Sequence, residues 1–318
     1  DDSREGKRVG RAYDAPVGAM SFNWNSMNVF VRPTKNGKLA DVTLDPENDY
    51  LKLENTVKTK KSGVPELQVD RSWNEKSRQE VVKVRGTIGD GQKEAVIFAN
   101  ITRPDLWAGA NLKAFLKQRG IGVSGSIKNC KADEFMPVLA ETESKPVEMI
   151  LTDMNKFSNN FVAEMLTKNI AALTQKPATL KIGIEKIQMH LKELGFTEKD
   201  FVITNPSGLT RENKMTTQAL WKLLLIREKD FSNMPEFMIS LPVAGVDGTL
   251  KKRMKKDATF RQVRAKTGHL DGVTSLAGYA ADSKGMPIPF VFMYNGPGDQ
   301  SRARAIMDQI FEKYYSQR

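Results

Sequence analysis

The sequence has very few of the residues that build covalent cross-links and metal sites. It contains one cysteine, Cys130, and two histidines, His190 and His269, among 318 residues. A single cysteine excludes an internal disulfide, and so few sulfur and imidazole ligands argue against a zinc cage. Cys130 lies in a polar stretch, and neither histidine has the context of a cysteine protease, so we interpret Cys130 as a bystander. We therefore expect chemistry without a metal or any other cofactor.

Long hydrophobic runs are also missing. No stretch of about 18 consecutive apolar residues occurs, which argues against a transmembrane segment. The first eleven residues are rich in charge and do not read as a signal peptide. If the protein is exported, we expect its leader to have been removed already.

The charge is strongly of one sign, with a formal net charge of +11. Such a charge predicts attraction to nucleic acid, a membrane surface or an anionic polymer, without choosing among them. The densest basic run is residues 251–256 (KKRMKK). Neither an aromatic stacking pattern nor a DNA-reading motif accompanies it, so we interpret the run as solvated surface and expect no nucleic-acid partner. A nucleic-acid binder remains an alternative that the net charge alone motivates.

Length and patterning predict two domains. Residues 13 to about 100 read as short strands separated by turn residues, which predicts a mainly-β accessory domain without convergent catalytic side chains. Gly89 and Gly91 lie between the last two of these strands and predict a hairpin there. The clearest strands are at residues 27–31, 41–44, 81–85 and 95–98.

Helical periodicity dominates from Pro104, and strands return at the end of the chain. Together these segments predict an antiparallel sheet packed against helices, an α+β arrangement. Helices are predicted from Pro104 towards Gly120, after Ser158, through Ile184 towards Gly195, after Thr216 and at the C-terminal end, and strands at residues 262–267, 276–281 and 289–294.

Two short motifs are candidates for chemistry. The first is Ser158, Asn159 and Asn160, just before an apolar helix. Ser158 and Asn160 can act together only from a loop that enters the helix, because residues two apart face opposite ways within one. Taken alone, the motif is more typical of simple N-capping.

The second motif is Lys266, Thr267 and Gly268 at the end of a predicted strand. On a sheet edge such a segment can pair its backbone with an extended peptide, while Lys266 and Thr267 hold a terminal carboxylate and Gly268 permits close approach. That chemistry suits a peptide C-terminus. The tripeptide is also common by chance as an ordinary strand end.

In this order and about a hundred residues apart, the motifs match two of the three elements of penicillin-binding proteins and β-lactamases. The surrounding sequence resembles the D-Ala-D-Ala carboxypeptidase/endopeptidase family, the type-4 penicillin-binding proteins of low molecular mass. The segments that carry the resemblance are residues 13–23 (YDAPVGAMSFN), 147–166 (VEMILTDMNKFSNNFVAEML), 205–211 (NPSGLTR), 241–250 (LPVAGVDGTL), 263–268 (VRAKTG) and 273–279 (VTSLAGY).

The resemblance implies an α/β (α+β) fold of the penicillin-binding-protein and serine β-lactamase type, with an inserted mainly-β accessory domain. Residues 1–12 would be the tail of an upstream peptidase segment, 13–100 the insert, and 101–318 the returning part of the peptidase domain. Two departures stand out. Asn205 and Pro206 replace the usual Asp-Gly, and the nucleophile motif Ser-x-x-Lys occurs nowhere in the 318 residues.

The resemblance also implies roles for the motif residues. Ser158 would relay protons to the leaving amine, Asn160 would bind the substrate's backbone amide, and Lys266 would supply positive charge. Thr267 would bind the terminal carboxylate directly, Gly268 would let the ligand approach closely, and the backbone N–H of His269 would complete an oxyanion hole with that of the nucleophile. The acylated serine would lie outside the given sequence, so this chain alone is expected to be inactive.

The implied partners are peptidoglycan stem peptides, their cross-links and β-lactam antibiotics, which mimic the D-Ala-D-Ala bond. Such a substrate implies a periplasmic protein. The alternative that stays open is a non-catalytic muropeptide-binding homologue that lacks the nucleophile.

Overall fold

The computed structural model describes residues 10–130 and 135–317. The chain divides after Ala140 into two compact units, called unit 1 and unit 2. The regular elements of unit 1 are β1 (Ser26–Arg32), β2 (Asp41–Asp45), β3 (Leu51–Asn55), β4 (Lys58–Lys60), β5 (Glu66–Asn74), β6 (Gln79–Gly89), β7 (Ala95–Asn100) and α1 (Pro104–Gln118).

Unit 1 is mainly β, and its strands form two sheets. β1 lies between β2 and β7, and pairs with both in antiparallel register. β6 pairs in parallel with β3 and β4 and antiparallel with β5. The alternating side chains Met27, Val29 and Val31 of β1 are fully buried, as the period of two in a half-buried strand requires.

The hairpin expected around Gly89 and Gly91 does not form. β6 and β7 are consecutive in the chain, but β7 pairs with β1 while β6 pairs with β3, β4 and β5 in the other sheet. The turn residues therefore predicted correctly where β6 ends, but not which strands it pairs with. The burial of β6 explains the outcome, since Val82 and Val84 are fully buried among neighbours on β3 and β5.

Helix α1 belongs to unit 1, which extends to Ala140. The domain bounds expected from the sequence, 13–100 and 101–318, stay a prediction. Pro104 begins the helix, and Leu106, Trp107 and Ala110 join the same core as β1. The Trp107 indole also donates to the carbonyl of Phe22 at 2.9 Å. Removing α1 from unit 1 would expose this apolar face. Of the predicted segment 1–12, residues 1–9 lie outside the described residues.

Unit 2 combines helices with an antiparallel sheet, which confirms the predicted α+β class. The sheet has the order β10-β11-β12. The elements are α2 (Val147–Phe157), α3 (Asn160–Ala172), α4 (Leu180–Glu193), β8 (Phe201–Val202), β9 (Lys214–Met215), α5 (Thr217–Glu228), α6 (Met234–Ser240), β10 (Val263–Leu270), β11 (Val273–Ala281), β12 (Pro287–Asn295) and α7 (Gln300–Ser316).

Helices cover both faces of this sheet. Leu276 and Ala280 of β11 pack with Phe311 of α7 on one face. Tyr279, on the opposite face, packs with Leu224 of α5 and donates its hydroxyl to the Leu224 carbonyl at 2.7 Å. This two-sided packing fixes β10, β11 and β12 as a rigid platform.

The basic run at residues 251–256 is anchored to α7. Arg253 pairs with Asp308 at 2.6 Å, and Lys256 pairs with Glu312 at 2.6 Å. Lys251, Lys252 and Lys255 are exposed. None of the described helices combines the length and the apolar character needed to cross a bilayer.

Candidate active site

Ser158 occupies a tight junction between two helices. Helix α2 ends at Phe157, and Ser158 follows it with φ 53° and ψ 49°, in the left-handed region. A residue other than glycine is uncommon there, and such a conformation persists only where the surroundings hold it. Asn159 then caps α3, because its side chain accepts from the Val162 N–H at 3.1 Å. Capping is therefore the role of Asn159, and it leaves the Ser158 hydroxyl available.

Lys266 reaches this hydroxyl from the sheet. It lies on β10, and its Nζ donates to Ser158 Oγ at 2.7 Å and to the Thr267 carbonyl at 2.8 Å. No carboxylate among the described residues lies within ion-pair distance of this ammonium. Burial lowers the pKa of Lys266 from 10.5 to about 8, because a poorly solvated ammonium is penalised relative to the neutral amine. The lowered pKa makes the Lys266 ammonium a better proton donor than that of an exposed lysine.

The three residues after Lys266 continue along β10. The Thr267 hydroxyl donates to Thr249 Oγ1 at 2.9 Å. A side chain at Gly268 would place its Cβ 2.4 Å from Ser275 Oγ on the neighbouring strand, so the Ser275 side chain would have to move. His269 pairs in register with Thr274, and its side chain is exposed.

The outer edge of β10 is open where these residues lie. β10 is an edge strand of its sheet. The segment before it pairs with β10 through Val243 and Arg264, and through the hydrogen bond from the Ala265 N–H to the Pro242 carbonyl at 2.9 Å. Among the described residues, no strand continues this pairing from Lys266 onward. An extended peptide can pair with such an edge.

Asn160 is the first residue of α3, two positions after Ser158. The pair therefore lies on the loop that enters the helix, as the motif predicted. The structure thus brings Ser158 and Lys266 into direct contact, with Asn160 beside Ser158 and with Thr267, Gly268 and His269 in line after Lys266. Sequence reasoning missed Thr249, although it lies within a segment that carried the family resemblance.

The loop with Asn205 and Pro206 has a well-defined conformation despite its departure from the family pattern. Asn205 is buried, and its side chain accepts from the Ser207 N–H at 2.8 Å. Ser207 Oγ lies 3.0 Å from the buried carboxylate of Glu164 on α3. Arg211, at the end of the loop, donates to the Asp271 carbonyl at 2.8 Å, in the turn after β10. The loop therefore links α3 to the end of the strand that carries Lys266.

Metal-binding side chains do not cluster in the part of the chain that the structure describes: no group of three or more His, Cys, Asp or Glu residues there could hold an ion. The arrangement around Lys266 instead offers two hydroxyls, an amine and an open strand edge. Those groups can bind a peptide and move a proton.

Comparison with known proteins identifies the family of the chain. A family model described as the D-Ala-D-Ala carboxypeptidase 3 (S13) family matches residues 3–314. A D-alanyl-D-alanine carboxypeptidase of Actinomadura sp. (strain R39) is 30% identical over 303 residues, which cover 90% of this chain and 55% of that protein. The D-alanyl-D-alanine carboxypeptidase DacB of Haemophilus influenzae is 24% identical over 288 residues, which cover 89% of this chain and 59% of that protein.

Solved structures show the same fold. The crystal structure of penicillin-binding protein 4 (dacB) from Haemophilus influenzae matches with a TM-score of 0.76 at 23% identity, over 96% of this chain and 70% of that chain. A second structure of that protein, complexed with a β-lactam, matches with a TM-score of 0.73 at 22% identity, over 98% of this chain and 73% of that chain. The chain spans 55% and 59% of the length of the two carboxypeptidases it matches. It belongs to the D-Ala-D-Ala carboxypeptidase 3 (S13) family.

Proposed function

We propose that this chain provides the substrate-binding and proton-transfer side of a periplasmic serine D-Ala-D-Ala carboxypeptidase/endopeptidase that acts on peptidoglycan stem peptides. The observation that carries the proposal is the 2.7 Å contact between Lys266 Nζ and Ser158 Oγ beside an open strand edge. Family membership supplies the reaction class.

The acylated serine is proposed to lie outside the 318 residues, since no Ser-x-x-Lys occurs within them. In the proposed reaction this serine attacks the carbonyl between two D-alanines, with the lysine of its own motif as base. A bond from serine oxygen to carbonyl carbon forms, the C–N bond breaks, and D-alanine leaves as the amine. Water then hydrolyses the acyl-enzyme.

Lys266 and Ser158 would deliver the proton that the leaving amine needs. With its pKa lowered by burial to about 8, Lys266 is mainly an ammonium at pH 7, yet it loses its proton more easily than an exposed lysine. Its hydrogen bond to Ser158 Oγ lets the hydroxyl pass a proton to the amine and take one from Lys266.

The substrate backbone would pair with the open edge of β10. Asn160 would bind its amide, and Thr267 would bind its terminal carboxylate. The backbone N–H of His269, together with that of the nucleophile, would stabilise the oxyanion. β-Lactams are proposed ligands of the same site, and the β-lactam complex of the Haemophilus influenzae protein supports this.

Peptidoglycan lies outside the cytoplasmic membrane, which is the basis for proposing a periplasmic location. The net charge of +11 would give the chain a weak attraction to an anionic wall.

Labelling with a fluorescent penicillin tests the proposal. The full-length gene product should be labelled, and the 318-residue chain alone should not. Labelling that is abolished by prior treatment with unlabelled benzylpenicillin would support acylation at a single site. A full-length product that binds stem peptide but is never labelled would instead identify a non-catalytic muropeptide-binding protein.

A further inference from the structure

The hydrogen bond between Ser158 and Lys266 joins two elements that lie far apart in the sequence. Ser158 follows the last residue of α2, and Lys266 lies on β10. Ser158 also has a left-handed backbone, which a serine keeps only where the surrounding structure holds it. Contacts that fix the end of α2 relative to β10 therefore decide whether the two side chains meet.

The carboxylate of Asp247 has two different partners at this point. Its Oδ2 atom forms an ion pair with Lys156 Nζ, and Lys156 lies in the last turn of α2, two residues before Ser158. Its Oδ1 atom accepts from the Val243 N–H at 2.9 Å. One side chain thus connects the end of α2 to the segment at residues 241–250.

That segment is in turn fixed to β10. Val243 pairs with Arg264, two residues before Lys266. The Ala265 N–H, one residue closer to the lysine, donates to the Pro242 carbonyl at 2.9 Å. The series of contacts that begins beside the serine on α2 therefore ends beside the lysine on β10.

Close packing accompanies the ion pair. A side chain at Gly248 would place its Cβ 2.8 Å from the Lys156 carbonyl and 3.1 Å from Pro242 Cβ, and the φ of Gly248, 54°, also favours glycine. The side chains of Lys156 and Asp247 are 18% and 35% exposed. Solvent therefore screens this ion pair less than it screens a fully exposed one.

We propose that Asp247 is a positioning residue, which holds the Ser158 hydroxyl at hydrogen-bonding distance from Lys266 through its ion pair with Lys156. The inference rests on the proposed function and deepens it, because it names a residue that controls proton transfer at that site by acting through another side chain. Without the ion pair, the end of α2 moves away from β10. The hydrogen bond then lengthens, and water reaches the Lys266 ammonium.

The pKa of Lys266 in the 318-residue chain tests the positioning without requiring turnover. NMR of isotope-labelled lysine measures it, and the signal is assigned by its loss in Lys266→Met. Asp247→Asn removes the ion pair but keeps an oxygen that can accept from the Val243 N–H. Burial lowers the pKa of Lys266 to about 8, so a loosened contact should raise it towards 10.5. Loss of a negative charge alone would lower this pKa instead, so the direction of the change separates the two effects.

Variants of Lys156 and Asp153 sharpen the test. Lys156→Gln removes the same ion pair from the other side and should raise the pKa of Lys266 as much as Asp247→Asn does. The double variant should match either single variant, because the two side chains act through one interaction. Lys156→Arg keeps the positive charge and should preserve the wild-type pKa. Asp153→Asn is the matched control and should change nothing, because Asp153 lies on the same helix and pairs with Lys145, before the start of α2.

Turnover of a D-Ala-D-Ala peptide by the full-length gene product connects the positioning to the reaction. Asp247→Asn and Lys156→Gln should each lower kcat about tenfold, the effect of a small misplacement of a reacting group. KM should stay within about twofold of the wild-type value, because neither change removes a group that binds the substrate. Asp153→Asn should turn over normally.

The possible outcomes separate this inference from the proposed function. An unchanged or lowered pKa of Lys266 in both Asp247→Asn and Lys156→Gln would overturn the positioning role and leave the proposed function standing. Additive effects in the double variant would show that the two side chains act separately and would also overturn it, as would a raised pKa with unchanged kcat. If the wild-type full-length product neither turns over the peptide nor is labelled by penicillin, the proposed function fails, and the pKa measurement still decides whether Asp247 holds Ser158 against Lys266. Lys156→Gln decides if Asp247→Asn does not fold.

Discussion

Unit 1 and unit 2 each contain an ionisable side chain with little access to solvent, Glu80 and Lys266. The two differ in how completely hydrogen bonds and ion pairs satisfy their charge. In unit 1 the fully buried Glu80 accepts from the Tyr50 hydroxyl at 2.7 Å, from Arg71 at 2.9 Å, and from the Thr102 N–H and hydroxyl at 2.9 Å each. In unit 2 Lys266 donates to a hydroxyl and a carbonyl but has no carboxylate partner among the described residues. Complete pairing favours stability, whereas an incompletely compensated charge has a shifted pKa.

Tyr50 shows how the compensation in unit 1 works. Burial, and then the negative charge of Glu80, raise the pKa of the Tyr50 hydroxyl. The hydroxyl therefore stays protonated and serves as a permanent donor to Glu80. Lys266 is the opposite case, because burial lowers its pKa towards the pH at which it would act.

The largest expected effect is on the stability of unit 1. Glu80→Ala leaves the largely buried Arg71 without its ion pair and removes an acceptor from Tyr50 and Thr102, so the free energy of unfolding should fall by about 3–5 kcal/mol. Urea unfolding followed by tryptophan fluorescence measures the loss. Glu54→Ala is the control, since the Glu54–Lys83 pair is exposed and should contribute less than about 1 kcal/mol. An equal loss of unfolding free energy in both variants would show that the buried Glu80 pair stabilises the fold no more than the exposed Glu54 pair.

The next effect concerns reactivity in unit 2. Lys266→Ala in the full-length gene product should slow acylation by a fluorescent penicillin by at least about a hundredfold, the scale of losing a group that stabilises developing charge. Lys192→Ala, at a surface lysine paired with Glu198, should label normally. Near-normal labelling of Lys266→Ala would remove the lysine from the mechanism.

The same lysine should reduce stability while serving function. The pKa of Lys266 is about 8 in the folded chain, against an ordinary value of 10.5. Between these pH values the unfolded chain binds more protons than the folded chain, so the free energy of unfolding rises with pH. Below pH 8 the buried ammonium destabilises the folded chain to its full extent. Lys266→Met should therefore be more stable than the wild type by about 2 kcal/mol at pH 7, and the difference should shrink towards pH 10.5. Thermal unfolding of both proteins across this range checks the sign; a less stable variant at pH 7 would contradict it.

A smaller effect is expected from positioning. Asn160→Ala in the full-length gene product should reduce turnover of a D-Ala-D-Ala peptide about tenfold, because a substrate amide contact is lost while Asn159 still caps the helix. Asn169→Ala on the exposed part of α3 is the control. Unchanged D-alanine release from the Asn160 variant would show that this side chain does not orient the substrate.

The regular elements of unit 2 were largely predictable because their apolar periodicity reflects real burial. α3, α4, α5, α7 and the strands β10 to β12 lie where the sequence placed them. Helix α2 was missed, although Val147, Ile150, Leu151 and Met154 follow the i, i+3, i+4, i+7 spacing of an apolar helix face. It buries no residue completely, and Val147 and Met149 are 60% and 50% exposed.

Unit 1 was less predictable, since strand pairing depends on the whole sheet. Residues 81–85 and 95–98 were correctly read as strand, but the turn between them could not reveal that they join different sheets. Likewise, helical periodicity identified α1, but only the packing of Trp107 into the core of unit 1 assigns it there.

At the candidate site, the motifs predicted a set of residues, and the structure shows which of them meet. Ser158 and Lys266 are 108 positions apart in sequence, and their contact followed only from the family resemblance. The left-handed conformation of Ser158 and the contact of Thr249 with Thr267 are products of tertiary packing, which no local pattern encodes.

Mapping the β-lactam adduct tests the central claim most directly. The full-length gene product is treated with benzylpenicillin, its intact mass is measured, and the modified peptide is located by proteolysis and mass spectrometry. The proposed mechanism predicts one drug-sized adduct on a serine of a Ser-x-x-Lys motif outside the 318 residues, and none on the chain alone. An adduct on Ser158, or a full-length product that remains unmodified, would contradict it.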